Sequence, residues 1–250
     1  VTAGYFGERI AEMARRAGAD VVTVPAPWGR PADAAAVQAA VRGSGAQVLA
    51  AVHVETSTGV LQPLPPLAEI AHRHGAFLLV DAVTSLGGVE LRIDDWGIDV
   101  AYSATQKCLN APPGLAPVTA SDRAREFLAG RKTMGASWYC DLSLMSTWWG
   151  AERVYHHTAP ISMVYALREA LLIAQEEGLE ARWARHRATA QQLWAGLEEM
   201  GLQPFVPLEG KIFRVGLMGA GSTPRNVLTF LGALEAALRA EGFRAVRTVA

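Results

Sequence analysis

An excess of charge of one sign is the first thing this chain lacks. Twenty-three Lys and Arg residues oppose 24 Asp and Glu, a net charge of -1, with no basic block anywhere. Nucleic-acid binders carry a basic footprint, so a nucleic-acid partner is not expected. Cysteine is nearly absent as well. Cys108 and Cys140 are the 2 present, too few for a disulfide framework and not arranged as CxxC, which suits a reducing, cytoplasmic setting. No uncharged apolar run approaches the roughly eighteen residues of a membrane span, so no membrane association is expected. The opening VTAGYF has neither a basic n-region nor a long apolar core and does not read as a signal peptide. It also lacks an initiator Met, and the expectation is a fragment or a processed form. What remains is 250 residues, 50% hydrophobic and 19% charged, the balance of a soluble globular protein with a sizeable core.

Apolar periodicity alternates along the first half. Ala19–Val24, Gln47–Val54, Ala76–Val80 and Ile98–Tyr102 read as buried strands. Helical patterns at 7–17, 32–43 and 65–75 separate them. That alternation predicts βαβ units and a parallel sheet covered on both faces, with ligands at the carboxyl ends of the strands. The second half turns helical, over 162–177 and 181–200. A strand is expected at Ile212–Gly216, and Thr223-Pro224 opens a last helix with the stripe Val227, Phe230, Leu231, Leu234 and Leu238. A domain change is placed at Gly178, giving 1–177 and a smaller unit over 178–250.

Chemistry concentrates between His53 and Gly114, in HVETSTG (53–59), VDAVTSLGG (80–88) and YSATQKCLNAPPG (102–114). Asp81 directly follows the strand AFLLV, and Lys107 lies just past the strand ending at Tyr102. A carboxylate and an amine at two strand ends can face one ligand. A buried ion pair or two solvated charges would also account for them. The crowding of Lys107 by Ser103, Thr105 and Gln106, and the stiff Pro112-Pro113-Gly114 exit, favour a functional loop.

These segments resemble the class V, fold-type I pyridoxal-phosphate aminotransferases, within them the alanine–glyoxylate and serine–glyoxylate group. The Asp-to-Lys separation, SATQK-LNAPPG and YHHT (155–158) carry the resemblance, which extends more weakly from FGER (6–9) to RVGLMG (214–219). It implies an α/β fold of type I, a mainly parallel sheet flanked by helices, with a smaller C-terminal α+β domain. It implies that Lys107 is the catalytic residue that attaches to the aldehyde of pyridoxal 5'-phosphate. An amine attacks a carbonyl only when neutral, so its surroundings must disfavour the ammonium form. Asp81 would pair with the pyridine nitrogen and keep it protonated. Thr56 resembles the hydroxyl donor to the ring oxygen, Val83 the apolar contact beneath the ring, Gln106 a phosphate contact, and Phe6 the stacking aromatic. Tyr155 and Thr158 resemble a pair that reaches the partner's cofactor phosphate across a homodimer. Arg214 resembles the clamp on the substrate carboxylate, a task that suits a planar guanidinium.

Other features read more plainly. His156 and His157 are adjacent and cannot easily converge on one ion, so no metal site is expected. His72 and His74 read as solvated, Cys108 as a small packing residue, and Trp148-Trp149 as core or dimer packing. Gly216, Gly219 and Gly221 have the wrong order for a dinucleotide loop and read as turn glycines. The resemblance also implies an N-terminal phosphate-cradling turn and further elements between Phe205 and Arg214 that this sequence does not contain. Either residues of a longer protein are missing or the protein is abbreviated. The function expected is transamination between a small amino acid, alanine or serine, and glyoxylate or another 2-oxo acid. Alternatives are a lyase, desulfurase or phosphonate transaminase on the same cofactor, or a non-catalytic paralogue acting as a binding or structural partner.

Overall fold

The computed structural model describes residues 1–202 and 215–243. Four strands form the main sheet: β1 (Val48–Val52), β4 (Phe77–Asp81), β5 (Val100–Tyr102) and β6 (Val118–Ala120), in the order β1-β4-β5-β6. The first three are parallel, and β6 returns antiparallel to β5. A short hairpin, β2 (Val54–Glu55) with β3 (Val60–Leu61), stands just beyond β1. The expected α/β class with a mainly parallel sheet is what the chain forms. The small antiparallel pieces are too short to leave a periodic signal.

Two helices precede β1, a third carries the crossover from β1 to β4, turns alone join β4 to β5, and the helix ends follow sequence rules. Helix α1 spans Tyr5–Arg16, α2 Ala34–Ser44 and α3 Pro65–Arg73. Asp33 caps α2 by accepting the Ala36 N–H at 3.1 Å, and Gly45 ends it at φ 62°. Pro65 and Pro66 open α3, where a missing N–H costs nothing. Val37 and Val41 of α2, with Leu67, Ile70 and Ala71 of α3, meet Leu49, Leu78 and Val80 of the sheet in the main core. Each fully buried Val or Leu there contributes roughly 1.5–3 kcal/mol. This packing fixes the strands whose carboxyl ends carry the chemistry.

The expected strand Ala19–Val24 joins no ladder among the described residues, the nearest pairing being the bridge of Thr2 to Pro25 just past its end. A strand assignment needs a paired neighbour, and here the Thr2 N–H to the Val24 carbonyl, 2.9 Å, is the main link. A cleft of about 470 Å3 lies between this segment, α1, the end of α2 and the start of β1, and none of the expected site residues among those described lines it. His72 is also not simply solvated. Its Nε2 sits 3.0 Å from the buried Asp99 carboxylate, which also accepts from the Leu78 N–H, Ser121 Oγ and Arg123. His74 Nε2 is buried as well. The network ties α3 and β4 to α4 (Asp122–Ala129).

Helices α5 (Leu142–Trp149), α6 (Ile161–Glu177), α7 (Leu179–Glu199) and α8 (Pro224–Ala240) build the second half. Gly178, at φ 80°, breaks α6 from α7. Leu193 and Met200 pack on Val227 and Leu231, joined by Phe230, Leu234 and Leu238, so the expected α8 stripe faces α7. Phe205, Val206 and Ile212–Arg214 lie outside the described residues, so the strand expected there is not described. No helix of the described residues is long and apolar enough to cross a membrane.

Candidate active site

Asp81 is the last residue of β4 and is in register with Val52 on one side and Tyr102 on the other. Its carboxylate is buried, and each oxygen takes one donor. Oδ1 accepts the Val83 N–H at 2.8 Å, and Oδ2 accepts the Tyr102 hydroxyl at 2.8 Å. Burial raises the Asp81 pKa above the usual carboxylate range, and the nearby Glu55 charge pushes the same way. The two hydrogen bonds oppose that shift because they favour the ionised form.

Lys107 leaves the carboxyl end of the neighbouring strand, so the amine and the carboxylate share one end of the sheet. The loop that carries it is closed on itself. The Thr105 hydroxyl donates to the Pro112 carbonyl at 2.6 Å, the Ala111 N–H to the Thr105 carbonyl at 3.0 Å, and the Asn110 N–H to the Lys107 carbonyl at 2.9 Å. Asn110 adopts φ 63°, a left-handed turn that a short polar side chain tolerates. The Ser103 hydroxyl donates to the Ala82 carbonyl at 3.0 Å and stitches the ends of β4 and β5 together. Cys108 is buried, its thiol donating to the Thr84 carbonyl at 3.3 Å, with Gly88 leaving it room. Burial pushes that thiol up, so Cys108 packs, as expected.

Two further loops converge on this end. Thr56 meets Thr84 hydroxyl to hydroxyl at 2.5 Å, which brings the ETSTG segment beside the loop holding the half-buried Val83. The buried Glu55 carboxylate accepts the N–H groups of Phe6 (3.3 Å), Gly7 (3.1 Å) and Ser57 (3.0 Å), and the Ser57 hydroxyl at 2.6 Å. It neutralises the positive end of α1 and so fixes Phe6 next to Thr56. Gly4 is required at this junction, since a Cβ there would lie 2.5 Å from Ser57 Oγ. Gln106 is exposed at the mouth of the loop.

Asp81, Val83, Thr56, Gln106, Lys107 and Phe6 are thus held by neighbouring elements at one end of the sheet. Tyr155 and Thr158 are not joined to them. Their hydroxyls face each other at 3.0 Å on an exposed segment. Between them His156 is stacked on Trp138 with ring centroids 4.2 Å apart, and His157 lies 4.2 Å from Trp148. His156 Nε2 faces the Trp138 carbonyl and must donate to it. Its Nδ1 lies 2.7 Å from His157 Nδ1. This is an aromatic nest, and the described residues hold no group of three or more possible metal ligands. Arg214 lies outside the described residues. Gly219 is a turn glycine at φ 58°, pressed so close that a Cβ would lie 2.5 Å from Asn110 Cβ.

Glu55, Tyr102 and Arg182 also support the site, although the sequence does not single them out. Glu55 and Tyr102 each stand at or just past a strand end beside a motif, which was the available signal. Arg182, buried on α7, gave none. It donates to the carbonyls of Gly87 (2.9 Å) and Cys108 (2.6 Å) and pairs with Glu177 at 2.9 Å.

A buried carboxylate with lone pairs to spare, a lysine on a rigid loop and a girdle of hydroxyls fit pyridoxal phosphate. The carboxylate suits a protonated ring nitrogen, the amine an aldehyde, and the hydroxyls the polar substituents of the ring. This is the site of a pyridoxal-phosphate-dependent transferase. The profile of the family "Aminotransferase class-V" matches residues 7–249. The alanine–glyoxylate aminotransferase of Oryctolagus cuniculus is 37% identical over 94% of this chain and 71% of its own length. The (S)-ureidoglycine–glyoxylate transaminase of Bacillus subtilis is 34% identical over 94% of this chain and 70% of its own. The crystal structure of an alanine–glyoxylate aminotransferase from Nostoc sp. superposes with a TM-score of 0.89 at 41% identity, over 95% of this chain and 74% of that one. A cysteine desulfurase from Thermococcus onnurineus, at 17% identity and TM-score 0.66, shares the fold alone. The chain belongs to the class V aminotransferases, and pyridoxal phosphate is its cofactor.

Proposed function

We propose that this protein moves an amino group from a small amino acid, alanine or serine, to glyoxylate. Asp81 and Lys107 at the ends of adjacent parallel strands carry the reading. Relatives and structures named for glyoxylate, at 34–41% identity over most of the chain, support it. When bound, the cofactor supplies an aldehyde and an electron-accepting ring. Lys107 Nζ takes the proton from the α-carbon of the donor and returns it later in the exchange. Asp81 holds the proton on the ring nitrogen. Thr56 and Gln106 would supply hydrogen bonds to the bound cofactor, and Val83 and Phe6 would offer it apolar surface. Arg214 is assigned the substrate carboxylate. A desulfurase reading is not favoured, because Cys108 is sealed in the loop with its thiol engaged. A non-catalytic role would leave the Asp81–Lys107 placement without purpose.

The test is a panel of amino donors against glyoxylate and other 2-oxo acids. It is paired with borohydride reduction of the cofactor-loaded protein and peptide mapping. Glycine formed from glyoxylate, with the reduced adduct on Lys107, is the expected result. An adduct elsewhere, or retained turnover in Lys107→Ala, overturns the assignment.

We further place the protein as a homodimer in the cytoplasm. Tyr155, Trp149 and Tyr165 are about 70% exposed, with Trp138 and Tyr139 above 55%, an apolar surface of a kind that interfaces cover. Tyr155 and Thr158 on that surface would complete the partner's site. Two free cysteines, one of them exposed, suit a reducing compartment. Mixing inactive Lys107→Ala with inactive Tyr155→Ala protein should restore activity in hybrid dimers, and no recovery would remove the shared-site reading.

A further inference from the structure

We propose that Tyr102 is a positioning residue for Asp81. Its hydroxyl keeps the carboxylate ionised and fixed, and thereby sets how firmly Asp81 holds the proton of the cofactor's ring nitrogen. The proposal rests on the cofactor reading and on the Asp81 assignment above.

Three observations carry it. Asp81 and Tyr102 are register partners on the adjacent parallel strands β4 and β5. Partners in register project from the same face, so the contact is written into the ladder. The 2.8 Å bond from the Tyr102 hydroxyl to Oδ2 is the sole side-chain donor to Asp81 among the described residues, Oδ1 being served by the Val83 main chain. Third, the surroundings press the carboxylate towards its neutral form through burial and the Glu55 charge. Burial, then the Asp81 charge, holds the Tyr102 phenol above its ordinary range, so it stays a donor at any working pH.

Loss of the hydroxyl has a defined consequence. Oδ2 would stay buried without its donor, and Asp81 would take up a proton of its own more readily. A neutral carboxyl cannot hold the ring-nitrogen proton by charge. The Tyr102 main chain is anchored separately, its carbonyl accepting the Ala82 N–H at 2.8 Å. Replacement of the ring hydroxyl therefore leaves the strand end in place.

The experiment compares pyridoxal phosphate with 1-deazapyridoxal phosphate, in which a carbon replaces the ring nitrogen. Dissociation constants are measured by equilibrium dialysis for wild type and Tyr102→Phe. Tyr102→Phe should weaken pyridoxal phosphate about tenfold, the size of a lost hydrogen bond to a charged group, and the deaza compound by less than about twofold, since that compound makes no nitrogen contact. An equal loss for both compounds means a merely structural role and overturns the proposal, as does no loss for either. Wild type that binds neither compound would instead remove the cofactor reading, and this one with it. 3-Fluorotyrosine at position 102 keeps the ring and makes a stronger donor. It should tighten pyridoxal phosphate relative to the deaza compound, and an unchanged ratio overturns the proposal even if Tyr102→Phe fails to fold.

Discussion

Replacing Arg182 by alanine tests whether helix α7 grips the lysine loop. The guanidinium is 2% exposed and serves three acceptors: the Gly87 carbonyl at 2.9 Å, the Cys108 carbonyl at 2.6 Å and Glu177 Oε2 at 2.9 Å. Arg185 continues the network, pairing with Glu177 and donating to the Gly219 and Ser222 carbonyls at 3.0 and 2.7 Å. An ion pair replaced on both sides by apolar groups can be neutral, but main-chain carbonyls cannot be mutated away. Arg182→Ala leaves two of them without a donor and opens a cavity. Each buried carbonyl left without its donor costs about 1–3 kcal/mol, so the pair costs about 2–6 kcal/mol, and a chain of this size loses about 2–4 °C per kcal/mol. The thermal midpoint should therefore fall by about 4–24 °C, read by circular dichroism and checked by urea titration. Arg182→Lys keeps the charge but not the fork and should recover less than half of the loss. Because Cys108 directly follows Lys107, Arg182→Ala should also release cofactor faster. A destabilisation below about 1 kcal/mol would mean that water replaces the guanidinium without penalty, and the grip would be refuted.

Asp81→Asn should raise the thermal midpoint of the cofactor-free protein at neutral pH, because burial makes the ionised carboxylate a cost to that fold; the cost is full above its raised pKa and disappears as pH falls. The same variant should lower kcat/KM at least about a hundredfold, and reduced stability at neutral pH would contradict the reasoning. Glu177 has the opposite sign: hydrogen bonding to Arg185 depresses its pKa, so its contribution is full above the ordinary carboxylate value and is lost as pH drops through the lower, folded one. The stability gap between wild type and Glu177→Gln should therefore close in acid, and a gap unchanged in acid would sink the assignment. Gly219→Ala meets both a left-handed φ of 58° and the Asn110 side chain and should cost at least about 2 kcal/mol in urea titrations.

The parallel sheet was legible because β1, β4 and β5 are short apolar runs, the first two set off by helices, and the placement of Asp81 and Lys107 followed from the ends of those runs. The segment 19–24 misled for the same reason. Its Val-rich composition is that of a strand, but pairing depends on a neighbour, and periodicity carries no information about neighbours. His72 shows the same limit. It sits on a helix face that looks solvated, and only the fold brings Asp99 to it.

The residues that the sequence does not single out share one property: each acts on a main chain or a carboxylate distant in sequence. Glu55 caps a helix whose first residues lie about fifty positions earlier, and Arg182 reaches carbonyls more than seventy positions back. Motifs record the atoms that meet substrate and cofactor, because the chemistry demands those residue types at those strand ends. The supports depend on which surfaces the fold brings together, and several residue types can meet the same demand. Tyr102 lies between the two cases. It ends its strand as Asp81 ends the next, so once the strands are paired in register its contact with the carboxylate follows.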